Sequence, residues 1–283
     1  ALYIETANEE LELREQEERR LNVSGVLRIL GVSRSGYNSW KKRLPSDSKQ
    51  RKNTLKVKIK EIYDESKQNY GAPKIASILN QNGEHIAEKT VGNYMREMGI
   101  KAQWIKPFTV TTIDSDFDTK LKNILHQEFN PDEPNAVWCS DITYIWTYMG
   151  FVYLTSVMDL FSRKIIAWTL STTLESKWVV EAINKAKENR KVTRPLVMHS
   201  DRGIQYVSSD YLNATSNMIN SYSKKAFPWD NACIESFHSL IKREWLNRFK
   251  IFDYKQAYKL VFEYIETFYN TVRIHSHCDY LSP

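Results

Sequence analysis

No window of this chain approaches the run of about 18 apolar residues that a membrane-spanning helix requires, and no secretory leader is visible. Cysteine is scarce: Cys139, Cys233 and Cys278 are widely spaced and odd in number. They exclude a disulfide framework and fit a reducing compartment, so a cytoplasmic protein is expected. His275, His277 and Cys278 crowd together near the end of the chain. Without a Cys-x-x-Cys pair to complete the set, they do not make a zinc site.

The 283 residues are 42% hydrophobic and 12% aromatic, enough for real cores and for two or three domains. The formal charge is +6, and its distribution says more than its size. Residues 1–18 hold 1 basic and 7 acidic side chains, whereas residues 19–106 hold 19 basic and 7 acidic. The second segment therefore carries the positive charge, as a segment that grips a polyanion does.

Residues 1–20 read as an acidic, solvated helix of the kind that ends a coiled coil. Residues 21–52 read as a helix-turn-helix and linker. Val26, Leu27 and Leu30 mark one helix and Gly31 turns the chain. Ser33 caps a second helix, to which Tyr37 and Trp40 give an inner side. Arg34, Ser35, Asn38, Lys41, Lys42 and Arg43 are left outside, where such donors meet phosphates and base edges. Pro45 to Lys52 is expected to be a polar linker. Residues 53–106 repeat the theme. Leu55 to Ser66 is one helix, Pro73 opens another that Gly83 closes, and a third runs from Glu88 to a stop at Gly99. Lys74, Lys89, Asn93 and Arg96 are the candidate DNA contacts of this second unit. Any helical hairpin can show one such pattern; two in series within a basic segment point to double-stranded DNA. Residues 107–134 read as a linker, preceded and entered by an apolar patch at Trp104, Ile105 and Phe108.

From Asn135 the apolar pattern alternates. Val137–Ile145, Phe151–Met158 and Arg163–Leu170 read as strands joined by short turns, hence an antiparallel meander. A helix over Glu175–Asn189 carries the chain to a strand at Leu196–Ser200, parallel to the first. A helix from Ser208 and a brief strand at Ile219–Tyr222 follow. A helix over Asp230–Glu244, N-capped by Asp230 or Asn231, comes next, and the last runs over Tyr254–Tyr269. This order describes an α/β ribonuclease-H-like core over residues 135–250, a mixed five-stranded sheet with helices. All-α DNA-binding segments precede it, and residues 251–283 form a C-terminal helix and tail.

Asp141 interrupts an apolar strand, and a lone buried carboxylate is unfavourable unless paired or metal-bound. Asp201 ends the strand expected beside it. Glu235 borders the apolar stripe of its helix, and Lys242, seven positions on, shares nearly the same face. Three carboxylates in one place repel one another until a divalent cation neutralises them. Hard oxygen donors select Mg²⁺, with Mn²⁺ able to substitute, over Zn²⁺. Two such ions would orient a water or a 3′-hydroxyl and stabilise the leaving oxygen of an in-line displacement, without a covalent protein nucleophile. Lys242 would hold a phosphate nearby, and Lys224 and Lys225, in the polar loop ahead of the helix, would meet the DNA backbone. Asp159 reads as a turn carboxylate and His199 as a packing residue. A nuclease that hydrolyses without joining would share this pattern, as would an inactive DNA-binding regulator, although the intact carboxylate set argues against the latter.

Five stretches carry a family resemblance: Trp138-Cys139-Ser140-Asp141-Ile142-Thr143-Tyr144, Met158-Asp159-Leu160-Phe161-Ser162-Arg163, His199-Ser200-Asp201-Arg202-Gly203-Ile204-Gln205-Tyr206, Asp230 through Phe237 with Leu240-Ile241-Lys242-Arg243-Glu244, and Tyr269-Asn270 with Arg273-Ile274-His275-Ser276 and the closing Tyr280-Leu281-Ser282-Pro283. Together they resemble the bacterial insertion-sequence transposases whose catalytic core is like retroviral integrase. The resemblance covers residues 54–283. It implies that Asp141, Asp201 and Glu235 form an Asp-Asp-Glu triad using Mg²⁺. It implies a protein that binds the terminal inverted repeats of a mobile element, cuts to free 3′-hydroxyls and joins them to DNA, by direct insertion or by the circular intermediate usual for the most similar members. The protein is then expected to act as a homo-oligomer, a dimer or larger, on paired ends in the bacterial nucleoid. Frameshifted synthesis, common in that family, would place further helical segments ahead of Ala1. Three features depart from the family pattern. The 33 residues between Asp201 and Glu235 are fewer than usual, Ala226 stands in place of a loop glycine, and Ala87 in place of a capping Ser or Asn.

Overall fold

The computed structural model describes residues 23–103, 121–193, 195–224 and 227–283. The acidic helix expected over residues 1–20, the patch at Trp104, Ile105 and Phe108, Lys225 and Ala226 lie outside them. Between Val57 and Lys58 the chain divides into two units.

In the first unit, α1 (Val23–Ile29) and α2 (Arg34–Lys42) form the expected hairpin. Ser33 caps α2, its Oγ accepting from the Gly36 N–H at 3.0 Å. The expected inner side of α2 does not form. Tyr37 stacks on Trp40 with ring centres 6.0 Å apart, but Trp40 is 67% exposed and α2 buries no side chain. Helices this short hold too little apolar surface to enclose an indole between themselves. α3 (Asp47–Glu65) begins inside the stretch expected to be a linker. Ser46 explains the early start: its Oγ accepts from the Lys49 N–H at 3.4 Å, and Asp47 places a negative charge in the first turn.

The second unit continues with α4 (Ala72–Gln81) and α5 (Glu88–Glu97). Pro73 sits in the first turn of α4, and Gly83 and Gly99 take positive φ just past the ends of α4 and α5. Ala87 holds the N-cap of α5 with no side chain able to accept from the first-turn amides, a loss of about 1 kcal/mol.

β1 (Val137–Thr147), β2 (Gly150–Asp159) and β3 (Ile165–Ser171) form the antiparallel meander. α6 (Ser176–Asn189) crosses to β4 (Val197–Ser200), which runs parallel to β1. After α7 (Ser209–Ala214), β5 (Ile219–Tyr222) runs parallel to β4, giving the order β3-β2-β1-β4-β5. α8 (Ala232–Glu244) and α9 (Tyr254–Phe262) follow. Alternate side chains of β1 feed two cores. Val137, Cys139 and Ile145 join Ile234, Phe237 and Ile241 of α8, whereas Trp138 joins Val179 and Ile183 of α6. The last helix, expected as one piece, changes after Phe262 to a π-helical winding over Glu263–Tyr269 that buries Tyr264, Ile265, Phe268 and Tyr269. The result is a ribonuclease-H-like core. Among the described residues no helix is long and apolar enough to cross a membrane.

Candidate active site

Strand register places the first two carboxylates. In the parallel β1–β4 ladder, Cys139 lies opposite His199 and Ser140 opposite Ser200. Asp141 and Asp201 come next on each chain, at the same end of the ladder, where neighbouring strands lie about 4.8 Å apart. The turn after β4 is fitted around Asp201. The Gly203 N–H donates to Asp201 Oδ1 at 2.9 Å, and a Cβ at position 203 would lie 3.0 Å from that same oxygen.

α8 supplies the remainder. Burying Ile234, Phe237 and Ile241 leaves Glu235, His238 and Lys242, at helical spacing, along the flank toward β1. His238 Nδ1 lies 3.3 Å from Asp141 Oδ2, and its Nε2 lies 3.3 Å from the hydroxyl of Ser156, the β2 residue opposite Asp141. Glu235 is exposed, yet the partial desolvation of its carboxyl against neighbouring atoms pushes it up to about 6, and the charge of Asp141 adds to that push. Burial also lowers the Lys242 ammonium, against the attraction of Asp141. Underneath, the Tyr206 hydroxyl sits 2.9 Å from Ser140 Oγ. Burial first, then the charges of Asp141 and Asp201, raise that phenol well above its ordinary value.

Asp141 and Asp201 thus lie just past one end of the β1–β4 ladder, with Glu235 and Lys242 of α8 within electrostatic reach of Asp141. They do not close into a ligand shell: among the described residues no three His, Cys, Asp or Glu side chains surround a common point. The donor set fits a hard divalent cation, being all carboxylate oxygen.

The other expected residues fall in several places. Arg34, Ser35, Asn38, Lys41, Lys42 and Arg43 are exposed in the first unit. Lys89, Asn93 and Arg96 are exposed along α5, where Arg96 Nη1 donates to Asn93 Oδ1 at 3.1 Å. Lys224 is exposed. Lys74 departs from expectation. Its Nζ donates to the Ile274 carbonyl at 3.0 Å and lies 4.8 Å from the Tyr70 ring centre. Burial, then the charge of Arg273, lowers it to about 8. It therefore fastens the C-terminal segment instead of facing outward. Asp230 does not cap α8 either. It accepts from Asn123 Nδ2 at 2.7 Å, Gln127 Nε2 at 2.8 Å and the Lys224 N–H at 2.8 Å, while Asn231 takes the N-cap position without a side-chain hydrogen bond. Three donors from the neighbouring loops outcompete the helix amides for one carboxylate. Asp159 accepts from the Asn135 N–H at 3.1 Å and from Ser162 Oγ at 2.7 Å, as a turn carboxylate does. His199 is fully buried beside Ser221, at 2.9 Å, and burial pushes it down to about 4, so it packs as neutral imidazole.

Sequence reasoning missed His238 and Tyr206. His238 carried a usable signal, lying three residues after Glu235 and four before Lys242. The partnership of Tyr206 with Ser140 has no local signature, since it depends on how the short 3₁₀ turn over Ile204–Val207 meets β1 in space.

An integrase-like core behind a helix-turn-helix-like region defines a DNA-recombining polynucleotidyl transferase. The integrase core domain family matches residues 131–229 and 218–283, and the HTH-like domain family matches residues 50–108. The transposase InsF for insertion sequence IS3A of Escherichia coli (strain K12) is 33% identical over 273 residues, 95% of each chain. The transposase for insertion sequence element IS904 of Lactococcus lactis is 36% identical over 243 residues, 85% of this chain and 96% of that one. The HTLV-2 integrase catalytic core domain, solved in complex with magnesium, aligns at a TM-score of 0.38 and 19% identity, over 51% of this chain and 92% of that one. The chain belongs to the IS3 family of insertion-sequence transposases, which are Asp-Asp-Glu polynucleotidyl transferases.

Proposed function

We propose that Asp141, Asp201 and Glu235 hold the Mg²⁺ with which this transposase cuts at the terminal inverted repeats of its element and joins the freed 3′-hydroxyls to DNA. Mn²⁺ can substitute. The observation that carries this reading is the register that starts Asp141 and Asp201 from one end of a parallel ladder, with Glu235 on α8, the helix whose His238 reaches Asp141. Bound there, the cation supplies activation of the attacking oxygen and stabilisation of the leaving one. The chain's own groups do the rest. His238 orients Asp141, the Gly203 amide orients Asp201, and Lys242 meets a non-bridging phosphate oxygen. The exposed donors of α2 and α5, with Lys224 and Lys225, grip the end, and two copies or more of the chain hold paired ends together. A nuclease of the same fold would hydrolyse without joining, and the two end-binding segments favour joining.

The test is incubation with duplex DNA from the flanks of the protein's own gene, followed by mapping of cut and joined phosphates. Asp141→Asn, Asp201→Asn and Glu235→Gln should each abolish cleavage and strand transfer in Mg²⁺ while DNA binding persists. Near-wild-type cleavage by any one of them removes that residue from the site. Cleavage without joined product selects the nuclease.

A further inference from the structure

We propose that Tyr206 is a positioning residue that fixes the separation of the two aspartates, and that the site selects Mg²⁺ over Mn²⁺ through it. The inference rests on the carboxylate reading above and deepens it. The β1–β4 ladder ends at the rung where Ser140 lies opposite Ser200. Asp141 and Asp201 each lie one residue beyond that rung. There β1 is still held by β2, with Asp141 opposite Ser156, whereas β4 stops at Ser200 and its chain leaves in a turn. Tyr206 brings that turn back to β1. It stands in the 3₁₀ turn over Ile204–Val207, five residues after Asp201, and its hydroxyl shares a hydrogen bond of 2.9 Å with Ser140 Oγ. Strand alternation points Ser140 to the sheet face opposite that of Asp141, into the cluster that holds Trp138 and Tyr206, so the bond acts on Asp141 through the backbone. It closes a circuit from Asp201 along the turn to Tyr206, across to Ser140, and one residue on to Asp141.

Packing alone does not ask for this pair. Tyr206 belongs to the apolar cluster of Trp138, Val157, Val179 and Met198, which a ring without a hydroxyl would satisfy. Ser140 and Tyr206 are both buried, and one hydrogen bond between them adds only about 1 kcal/mol net. The tyrosine is nonetheless anchored on three sides. Its N–H donates to the Gly203 carbonyl at 2.9 Å, its carbonyl accepts from the Tyr222 hydroxyl at 3.2 Å, and its ring meets that of Tyr211 edge-on at 5.4 Å. The charges of both Asp141 and Asp201 bear on its phenol. A hydroxyl held this firmly transmits position from one aspartate's chain to the other's. Mg²⁺ demands near-ideal octahedral geometry and so registers a small change in carboxylate spacing. The larger Mn²⁺ tolerates one.

The experiment measures metal binding to the full chain, with no cleavage read. Mn²⁺ binding is followed by electron paramagnetic resonance of the free ion, and Mg²⁺ binding by its competition with Mn²⁺. Tyr206→Phe and Ser140→Ala should each weaken Mg²⁺ binding by about tenfold, the lower end of what an outer partner contributes, and Mn²⁺ binding clearly less. The double variant should be no weaker than either single one, because both remove the same bond. Wild-type Mg²⁺ binding by Tyr206→Phe overturns the proposal, as does an equal loss for the two ions, which a general loosening of the fold would give. Losses that add in the double variant overturn it too. Should Ser140→Ala misfold, Tyr206→Phe, which removes only the hydroxyl, decides alone. Asp141→Asn separates this result from the reading beneath it. If that variant binds Mn²⁺ as wild type does, the carboxylate site and the role of Tyr206 fall together. If it loses Mn²⁺ while Tyr206→Phe keeps wild-type selectivity, only the role of Tyr206 falls.

Discussion

Gly203 accepts no side chain without disturbing a carboxylate. Its backbone is ordinary, with φ at −56°, so alanine could adopt it. The added carbon would instead press on Asp201 Oδ1 from 3.0 Å, and the carboxylate must give way by a few tenths of an ångström. Gly203→Ala should therefore leave thermal stability almost unchanged and slow cleavage by about tenfold, since small displacements of reacting groups are amplified in rate. Unchanged cleavage would show that Asp201 has room to spare. His238 has the complementary role of holding Asp141 from the helix side. His238→Ala should reduce Mg²⁺ affinity or turnover by roughly ten- to hundredfold, as loss of an outer partner to a metal-binding carboxylate does. A Mg²⁺ titration of cleavage rate checks it, and a wild-type curve would remove His238 from the site. The carboxylates themselves were legible because a charge interrupting an apolar strand needs a reason. His238 was less legible, because a histidine on a helix is more often packing.

α8 carries Glu235, His238 and Lys242, and its far end is clamped. Glu244 accepts from Arg273 Nε at 2.7 Å, Arg273 Nη2 at 2.6 Å and the Tyr264 hydroxyl at 2.8 Å, all buried. Burial would raise the Glu244 carboxyl, but the hydrogen bonds and charge of Arg273, with Lys74 and Tyr264, outweigh burial and hold it below the usual carboxylate range. Because its folded value is depressed, the pair's contribution is complete above the unfolded value of about 4.3 and is lost as pH falls through the lowered one. Glu244→Gln should destabilise the protein by about 3–5 kcal/mol at neutral pH, because it strands a buried guanidinium. Joint replacement of Glu244 and Arg273 by leucine should recover most of that. Urea unfolding followed from pH 7 down well below the unfolded value of about 4.3 checks both statements, and a Glu244→Gln deficit that stays constant over that whole fall would break the argument. The sequence displayed both residues in family-like motifs, 29 positions apart. That they face each other depends on the turn after the π-helical segment, which no local pattern announces.

At the scale of the molecule, α4 and α5 do not hang from the catalytic core by a tether. Ile75, Leu79 and Val91 belong to the same apolar cluster as Phe237, Trp245 and Tyr264. Tyr70 accepts from the Ile274 N–H at 2.8 Å, Lys74 donates to the Ile274 carbonyl, and Arg248 donates to the Lys67 carbonyl at 2.6 Å and to Asn69. Contacts of this continuity make one cooperative unit. Amides of α4 and α5 should therefore exchange hydrogen with the same opening free energy as those of α8 and α9. Earlier exchange in α4 and α5, read by mass spectrometry, would show two independent units. The sequence divided these residues into separate segments because helical periodicity reports which face is apolar and not which neighbour covers it.

By itself the sequence determined the strand and helix order, the parallel crossover, and three carboxylates attached to that frame, since those follow from periodicity, turn chemistry and the unfavourable burial of charge. Only the tertiary structure decided what stands next to them: His238 on Asp141, Arg273 on Glu244, Lys74 turned inward, and Asp230 tied to its loop. Short-range rules act through the backbone and so can be read along the chain. Contacts between residues tens to hundreds of positions apart are settled by how whole surfaces fit, and that information exists only once the surfaces have been built.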